Sequence, residues 1–204
     1  IIYGMSREDK VLHKLIEGQQ FKIVAVDAPF VNQNTSSVAI DHEKAQYDVA
    51  RKTLHENQGN RILYIAGKKN GFVTTQRLEG MKRLAAQEGL SLFVRQGDFS
   101  EKKARQLTFQ YARNRDIIVC ASDLMAIGAM RALQEMDIFR PVCGFDGITL
   151  MGYAGKQMNT VKQDFYRVSS EAMEEMGRLL EGGEGRAVVL DFSIVRMQYL
   201  DIIC

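Results

Sequence analysis

Cysteine, proline, tryptophan and long apolar runs are all scarce or missing in this chain of 204 residues. The three cysteines, Cys120, Cys143 and Cys204, are an odd number without metal-ligand spacing, so we expect neither a disulfide framework nor a zinc site. No run of 18 apolar residues occurs, and no transmembrane helix is predicted. The first residues, Ile1–Tyr3, lack a signal-peptide pattern, and we expect a protein of the reducing cytoplasm.

An excess of charge of one sign is missing as well. The 27 Lys and Arg residues nearly balance the 25 Asp and Glu residues, and the net charge is +2. A surface that binds nucleic acid through its phosphates carries a clear excess of positive charge. We therefore expect any DNA binding by the whole protein to use a different part.

The sequence also lacks the motifs of nucleotide binding and catalysis. It contains no Walker loop, no dinucleotide glycine fingerprint and no serine nucleophile elbow. The three histidines, His13, His42 and His55, stand at scattered spacing and predict no metal-ligand set. We expect neither an enzyme nor a cofactor, and no metal.

Short β-branched or aromatic runs alternate with amphipathic segments along the whole chain. This alternation predicts an α/β fold with mostly parallel strands and helices on both faces of the sheet. The predicted strands are Phe21–Val26, Ile62–Ala66, Leu92–Val94, Ile117–Ala121, Val142–Phe145 and Val188–Val195. The predicted helices are Asp9–Gly18, His42–Asn57, Gln76–Glu88, Ser100–Arg113, Ser122–Glu135 and Asp164–Glu181.

Polar side chains stand where three of these strands end. They are Asp27, Ser122 and Asp146. In open α/β sheets a ligand binds in the crevice outside the carboxyl ends of the strands, and a carboxylate accepts two sugar hydroxyls at once. The alternatives are local: an Asx turn for either aspartate and a helix N-cap for Ser122. We predict ligand contact for both aspartates, whereas Ser122 fits both roles and Asp123 fits a structural one.

Two further side chains are unusual for their positions. Arg77 stands at the predicted start of a helix, where its charge interacts unfavourably with the helix dipole. A ligand-binding role accounts better for an arginine at this position, because the planar guanidinium can donate two hydrogen bonds to sugar hydroxyls or to a phosphate. The alternative is a solvated arginine that contributes little to stability. Phe99 lies in a polar loop and can stack on the apolar face of a sugar or base. Its alternative is a hydrophobic staple that packs on the following helix.

Taken together, these segments resemble the effector-binding domain of the LacI/GalR family of bacterial transcription regulators. The central stretch Cys120–Gly147 carries the resemblance most clearly. Six further segments match family motifs in the family's order: Ile1–Asp9, Phe21–Asp27, Val38–Ala50, Val73–Met81, Gly97–Glu101 and Thr160–Phe165.

The resemblance implies two doubly wound parallel-sheet subdomains of the type I periplasmic-binding-protein kind, the first of them incomplete. Residues 1–40 with 164–190 would form the N-terminal subdomain, and residues 41–162 with 191–204 the C-terminal one. Crossovers would lie near Ile40–Asp41 and Lys162–Gln163. The helix-turn-helix DNA-binding domain and the opening βαβ unit of the first subdomain are expected to be absent from this chain.

The resemblance also implies a function: a repressor whose affinity for operator DNA is switched by a sugar in the cleft between the subdomains, acting as a homodimer. The residues that match the family's effector site are Asp27, Arg77, Phe99, Ser122 and Asp146, with Tyr3 and Gln163 at its edge. One departure is Ser122 where relatives usually carry Asn. Because two carboxylates repel an anion, we favour a neutral sugar over a sugar phosphate.

Two other classes of function share this fold. One is a periplasmic-type sugar-binding protein that serves a transporter, which a signal peptide upstream would indicate. The other is an enzyme on a doubly wound fold, which the missing nucleophile and base make the weaker interpretation.

Overall fold

The computed structural model describes residues 1–6, 8–18, 21–148 and 156–199. Within them strands and helices alternate, as the sequence predicts. The strands are β1 (Ile2–Tyr3), β2 (Ile23–Val26), β3 (Thr35–Ile40), β4 (Arg61–Ala66), β5 (Ser91–Gln96), β6 (Ile117–Cys120), β7 (Val142–Asp146), β8 (Lys156–Lys162), β9 (Ala187–Leu190) and β10 (Ser193–Tyr199). The α-helices are α1 (Lys10–Glu17), α2 (His42–Asn57), α3 (Phe72–Glu88), α4 (Glu101–Tyr111), α5 (Asp123–Glu135) and α6 (Phe165–Leu180).

The strands form two sheets. The first sheet has the order β1-β2-β3-β9 and is parallel throughout. The second sheet has the order β10-β8-β7-β6-β4-β5 and is parallel except for the edge pair of β10 with β8. Helix α6 packs on the first sheet, whereas α2, α3, α4 and α5 pack on the second. The predicted α/β class with parallel-dominated sheets is confirmed.

The chain passes between the two sheets at three places. It leaves the first sheet after Ile40, where α2 follows, and returns after β8 through Gln163 and Asp164. It leaves again between β9 and β10, at Asp191 and Phe192. The predicted strand Val188–Val195 is therefore wrong as a single strand, because its two halves pair in different sheets.

Strands β3 and β8 are not among the predicted strands, because their sequences are rich in polar residues. Thr35, Ser36 and Ser37 are nevertheless buried in β3. The Ser37 hydroxyl donates to the Ala28 carbonyl, and the Ser36 hydroxyl donates to Glu175. Since these hydrogen bonds replace those to water, a polar segment can lie inside the fold.

Helix α3 begins at Phe72, four residues before the predicted start at Gln76. Arg77 therefore lies in the second turn of α3 and not at its beginning. Helix α3 also approaches α2 closely: a Cβ atom on Gly80 would lie 2.3 Å from the Glu43 carbonyl oxygen. No other residue type fits at that contact without moving the backbone, so glycine sets the distance between these two helices.

Two hydrophobic clusters hold the described fold together. The larger one is continuous across both sheets and contains the buried strands β4 and β6. The smaller cluster lies against the first sheet and contains Met5, Ile16, Ile23, Ala25 and Ala28. It also includes Phe72, which comes from α3 on the second sheet. Among the described residues, no helix is both long and apolar enough to cross a membrane.

Candidate functional site

A cavity of about 500 Å³ lies where the carboxyl ends of the strands of both sheets meet. Six of the seven residues predicted for the site line it: Tyr3, Asp27, Arg77, Phe99, Ser122 and Asp146. Each of them ends a strand, follows one closely or lies on the helix that comes next, as expected for an open α/β sheet. The seventh, Gln163, does not line the cavity, but its amide donates to Asp146 Oδ1 over 3.0 Å.

The two aspartates enter the cavity from different sheets. Asp27 follows β2 of the first sheet, and Asp146 is the last residue of β7 in the second sheet. Both have a positive φ, 57° for Asp27 and 112° for Asp146. Backbone of this kind is unfavourable for residues other than glycine, and such strain concentrates at functional sites.

Asp146 is a carboxylate in a largely desolvated position. Its side chain is 23% exposed, and Arg77 Nη2 lies 3.5 Å from its Oδ1. Burial raises the pKa of the Asp146 carboxyl, while the Arg77 charge and the Gln163 hydrogen bond act against that rise. The remaining hydrogen-bonding capacity of this carboxylate is available to a ligand in the cavity.

Arg77 is buried, and the solvated alternative is wrong. Only 3% of the residue is exposed, and its guanidinium lies over the Phe145 ring, 3.6 Å from the ring centroid. Nη1 donates to the Ala121 carbonyl, and Nη2 faces Asp146. Because its removal would leave the buried Ala121 carbonyl without this donor, we now expect Arg77 to contribute to stability.

A hydrogen-bonded series connects the two sides of the cavity. His42 Nε2 lies 2.8 Å from Asp27 Oδ1, and the Nε of Arg77 lies 3.4 Å from His42 Nδ1. His42 is the first residue of α2 and its side chain has no exposed surface. This series thus runs from the end of β2 to the end of β7, in the order Asp27, His42, Arg77 and Asp146.

Ser122 is the N-cap of α5 and lies in the cavity wall, so its predicted ligand contact stays a prediction. Its hydroxyl accepts a hydrogen bond from the Met125 backbone N–H as the N-cap of α5, and the residue also lines the cavity. Its neighbour Asp123 is fully buried and accepts from the Thr160 hydroxyl over 2.6 Å and from the Ile148 N–H over 2.9 Å. Burial raises the pKa of Asp123 to about 7.

Phe99 forms part of the cavity wall from the loop between β5 and α4. It has a φ of 59°, and its ring lies against the backbone of Gly67 at the end of β4. A Cβ atom on Gly67 would stand 2.1 Å from Phe99 Cζ, so the ring occupies the space that a side chain would need.

Several residues of this region were not predicted from the sequence, among them Lys68, Lys69, Phe72 and His42. Lys68 and Lys69 line the cavity and follow β4, so the strand-end rule that finds the two aspartates also applies to them. Phe72 lines the cavity from the first turn of α3. His42 contacts residues 15 and 35 positions away, and no local spacing could indicate this arrangement. Within the described ranges, no cluster of three or more His, Cys, Asp or Glu side chains could hold a metal ion.

Comparisons with known proteins agree with this architecture. Residues 9–184 match the periplasmic binding protein domain family. The HTH-type transcriptional regulator AscG of Escherichia coli is 24% identical over 195 residues, which are 90% of this chain and 57% of AscG. The chain thus spans little more than half the length of that relative.

Two solved structures show the same fold at low identity. A complex of the transcriptional regulator CelR with cellobiose superposes with a TM-score of 0.83 at 23% identity, covering 97% of this chain and 64% of that one. The Lac repressor dimer bound to operator and the anti-inducer ONPF gives a TM-score of 0.80 at 22% identity, covering 97% and 72%.

Proposed function

This chain belongs to the periplasmic binding protein domain family, and from that premise we propose that it is the effector-sensing part of a LacI/GalR-type transcription repressor. The observation that carries the proposal is the cavity between the sheets, to which each sheet contributes a carboxylate at a strand end and α3 contributes a buried arginine. This combination of acceptors and a planar donor suits a ligand with many hydroxyl groups.

The proposed ligand is a sugar. Asp27 and Asp146 accept hydrogen bonds from its hydroxyls, Arg77 donates to them, and the Phe99 ring stacks on the apolar face of the sugar. Ser122 adds a hydroxyl at the start of α5, with Tyr3 at the edge of the cavity. Gln163 acts indirectly, because its amide holds the Asp146 carboxylate in place.

Switching requires that the two sheets move relative to each other. We propose that residues 1–40 with 164–190 and residues 41–162 with 191–204 move as two subdomains about the crossovers. A sugar that touches Asp27 and Asp146 at once binds the closed arrangement more tightly than the open one, and the difference in affinity is what shifts the population.

The output of this switch would be DNA binding. AscG is an HTH-type regulator, and this chain spans 57% of its length. We propose that a helix-turn-helix segment outside these 204 residues binds operator DNA, and that the protein acts in the cytoplasm as a homodimer. The Lac repressor was solved as a dimer on its operator, and the two-fold symmetry of operators matches that arrangement.

Neither alternative class fits as well. For a transporter's binding protein, the fold fits equally, but the relatives found are transcription regulators. For an enzyme, the Asp27–His42 pair lacks a free base: the second ring nitrogen of His42 faces Arg77, and the ring has no exposed surface. A general base must reach the proton that it abstracts.

A thermal-shift screen of neutral mono- and disaccharides, starting with cellobiose, tests the proposal, with phosphorylated sugars as a second set. A sugar present at about one hundred times its dissociation constant raises the free energy of unfolding by roughly 2.7 kcal/mol. The Asp146→Asn variant is the control, and its response should be lost. The proposal fails if no sugar raises the Tm, or if the rise is unchanged in Asp146→Asn.

The second set of ligands tests the charge argument. Lys68 and Lys69 also line the cavity, and their positive charges oppose the repulsion of an anion by the two carboxylates. If the neutral sugars bind more tightly than their phosphates, the carboxylates control selectivity. If the phosphates bind more tightly, the two lysines do.

A further inference from the structure

One imidazole connects the ligand-facing groups of the two sheets. His42 Nε2 contacts Asp27, which ends a strand of the first sheet, and His42 Nδ1 faces Arg77 on α3, which packs on the second sheet. The ring also stacks on Phe145 of β7, with ring centroids 5.7 Å apart. His42 is fully buried, so it reaches no ligand itself.

The two partners determine which ring nitrogen carries the proton. Arginine has only hydrogen-bond donors and a carboxylate has only acceptors. Nδ1 must therefore accept from Arg77, and Nε2 must carry the hydrogen and donate it to Asp27. A neutral ring satisfies both contacts in this one tautomer, whereas a protonated ring would direct a second N–H and a positive charge at Arg77.

Burial, together with the charge of Arg77, keeps the ring neutral near pH 7. Burial lowers the pKa of His42 below its usual value of 6.5, and the Arg77 charge acts in the same direction. The hydrogen bond to Asp27 and the charge of Asp41, the N-cap of α2, act against that decrease. Phe145, the contact from β7, carries no charge.

We propose that neutral His42 is a positioning residue of the sugar site: it holds the Asp27 carboxylate and the Arg77 guanidinium in the orientation in which both face the cavity. The expected effect of His42 on sugar binding rests on the proposed function. In the described part of the chain, no residue donates a hydrogen bond to Asp27 Oδ2, which leaves this oxygen for a ligand once Oδ1 is held by His42.

Two substitutions separate hydrogen bonding from packing. His42→Gln retains an N–H donor for Asp27 and an oxygen acceptor for Arg77 and does not titrate, whereas His42→Leu fills the space without either group. With the neutral sugar that gives the largest shift in the screen, calorimetric titration at about pH 7.5 should show affinity within about threefold of the wild type for His42→Gln and at least about tenfold weaker for His42→Leu.

The pH profile gives the sharper comparison. Protonation of Asp146, whose pKa is raised by burial, weakens sugar binding in both the wild type and His42→Gln. Wild-type affinity should show a further fall once the pH drops below the lowered pKa of His42, which lies under 6.5. His42→Gln should not show this fall. A His42→Leu variant that folds and binds like the wild type overturns the positioning role, and so do coinciding profiles for the wild type and His42→Gln.

A measurement on the free protein needs no sugar. Long-range proton–nitrogen NMR of the imidazoles, with the His42 signals identified by their loss in His42→Gln, should show the neutral Nε2–H tautomer at about pH 7. An Nδ1–H tautomer or a charged ring overturns the inference. If no sugar binds the wild-type protein, the proposed function fails, and this spectrum still decides the hydrogen bonds of His42.

Discussion

Two contacts of opposite character connect the sheets beside the cavity. One is polar and runs from Asp27 through His42 to Arg77. The other is apolar: the Phe72 ring enters the small cluster on the first sheet and meets the Phe30 ring edge to face, with centroids 5.2 Å apart. A β-bridge between Ser6 and Gly71 lies next to the apolar contact.

The difference lies in how each contact responds to a ligand. Burial of apolar surface is non-directional, so the Phe72 contact stabilises the approach of the sheets whether or not the cavity is filled. The energy of the polar contact depends on hydrogen-bond angles and on charges. A sugar that forms hydrogen bonds with Asp27 and Arg77 would therefore change the strength of this contact directly. We infer that Phe72 keeps the sheets together and that the polar series determines their response.

The largest effect is expected from Phe72→Ala. Loss of a buried phenylalanine removes apolar contact and leaves a cavity, which lowers the free energy of unfolding by about 3–5 kcal/mol. Denaturant unfolding measures this, with Phe139→Ala as the control, because Phe139 is 72% exposed. The control should change stability by about 0.5 kcal/mol or less. Equal losses in the two variants would show that Phe72 does not join the sheets.

Arg77→Met is expected to affect both stability and binding. It removes the donor to the Ala121 carbonyl and the cation beside Asp146, and leaving such acceptors unsatisfied costs about 1–3 kcal/mol. The sugar-induced Tm shift should disappear. Arg83→Met is the matched control on the same helix. Arg83 and its partner Glu43 are both exposed, and an exposed ion pair contributes little to stability. Retention of the full shift in Arg77→Met would exclude Arg77 from the site.

Asp146→Asn is expected to affect binding alone. Its amide oxygen can still accept from Gln163, and the substitution removes a carboxylate whose pKa is raised by burial. The free energy of unfolding should therefore stay within about 1 kcal/mol of the wild type or increase, while the sugar response is lost. Thermal unfolding with and without sugar separates the two quantities. A large loss of stability would mean that Asp146 is mainly structural.

The sequence predicted what depends on local pattern. Asp27 and Asp146 follow apolar runs, and parallel strands bring such ends to one edge, so their place at the cavity follows from the α/β alternation. The buried strand β3 could not be predicted, because its residues are polar and their hydrogen-bond partners, such as Glu175, lie far along the chain. The contacts of His42 and Phe72 depend on how the two sheets pack against each other, and this packing cannot be predicted from the local sequence pattern.

We expect the ligand range of this cavity to be sensitive to a single methyl group at Gly67. The Phe99 ring occupies the place of the missing side chain, so Gly67→Ala must push the ring away from the β4 backbone. A ring displaced into the cavity leaves less room and should disfavour disaccharides more than monosaccharides, which a repeat of the sugar screen on this variant would measure. We therefore expect a change at this one position to alter which sugars bind, while every hydrogen-bonding group of the site stays the same.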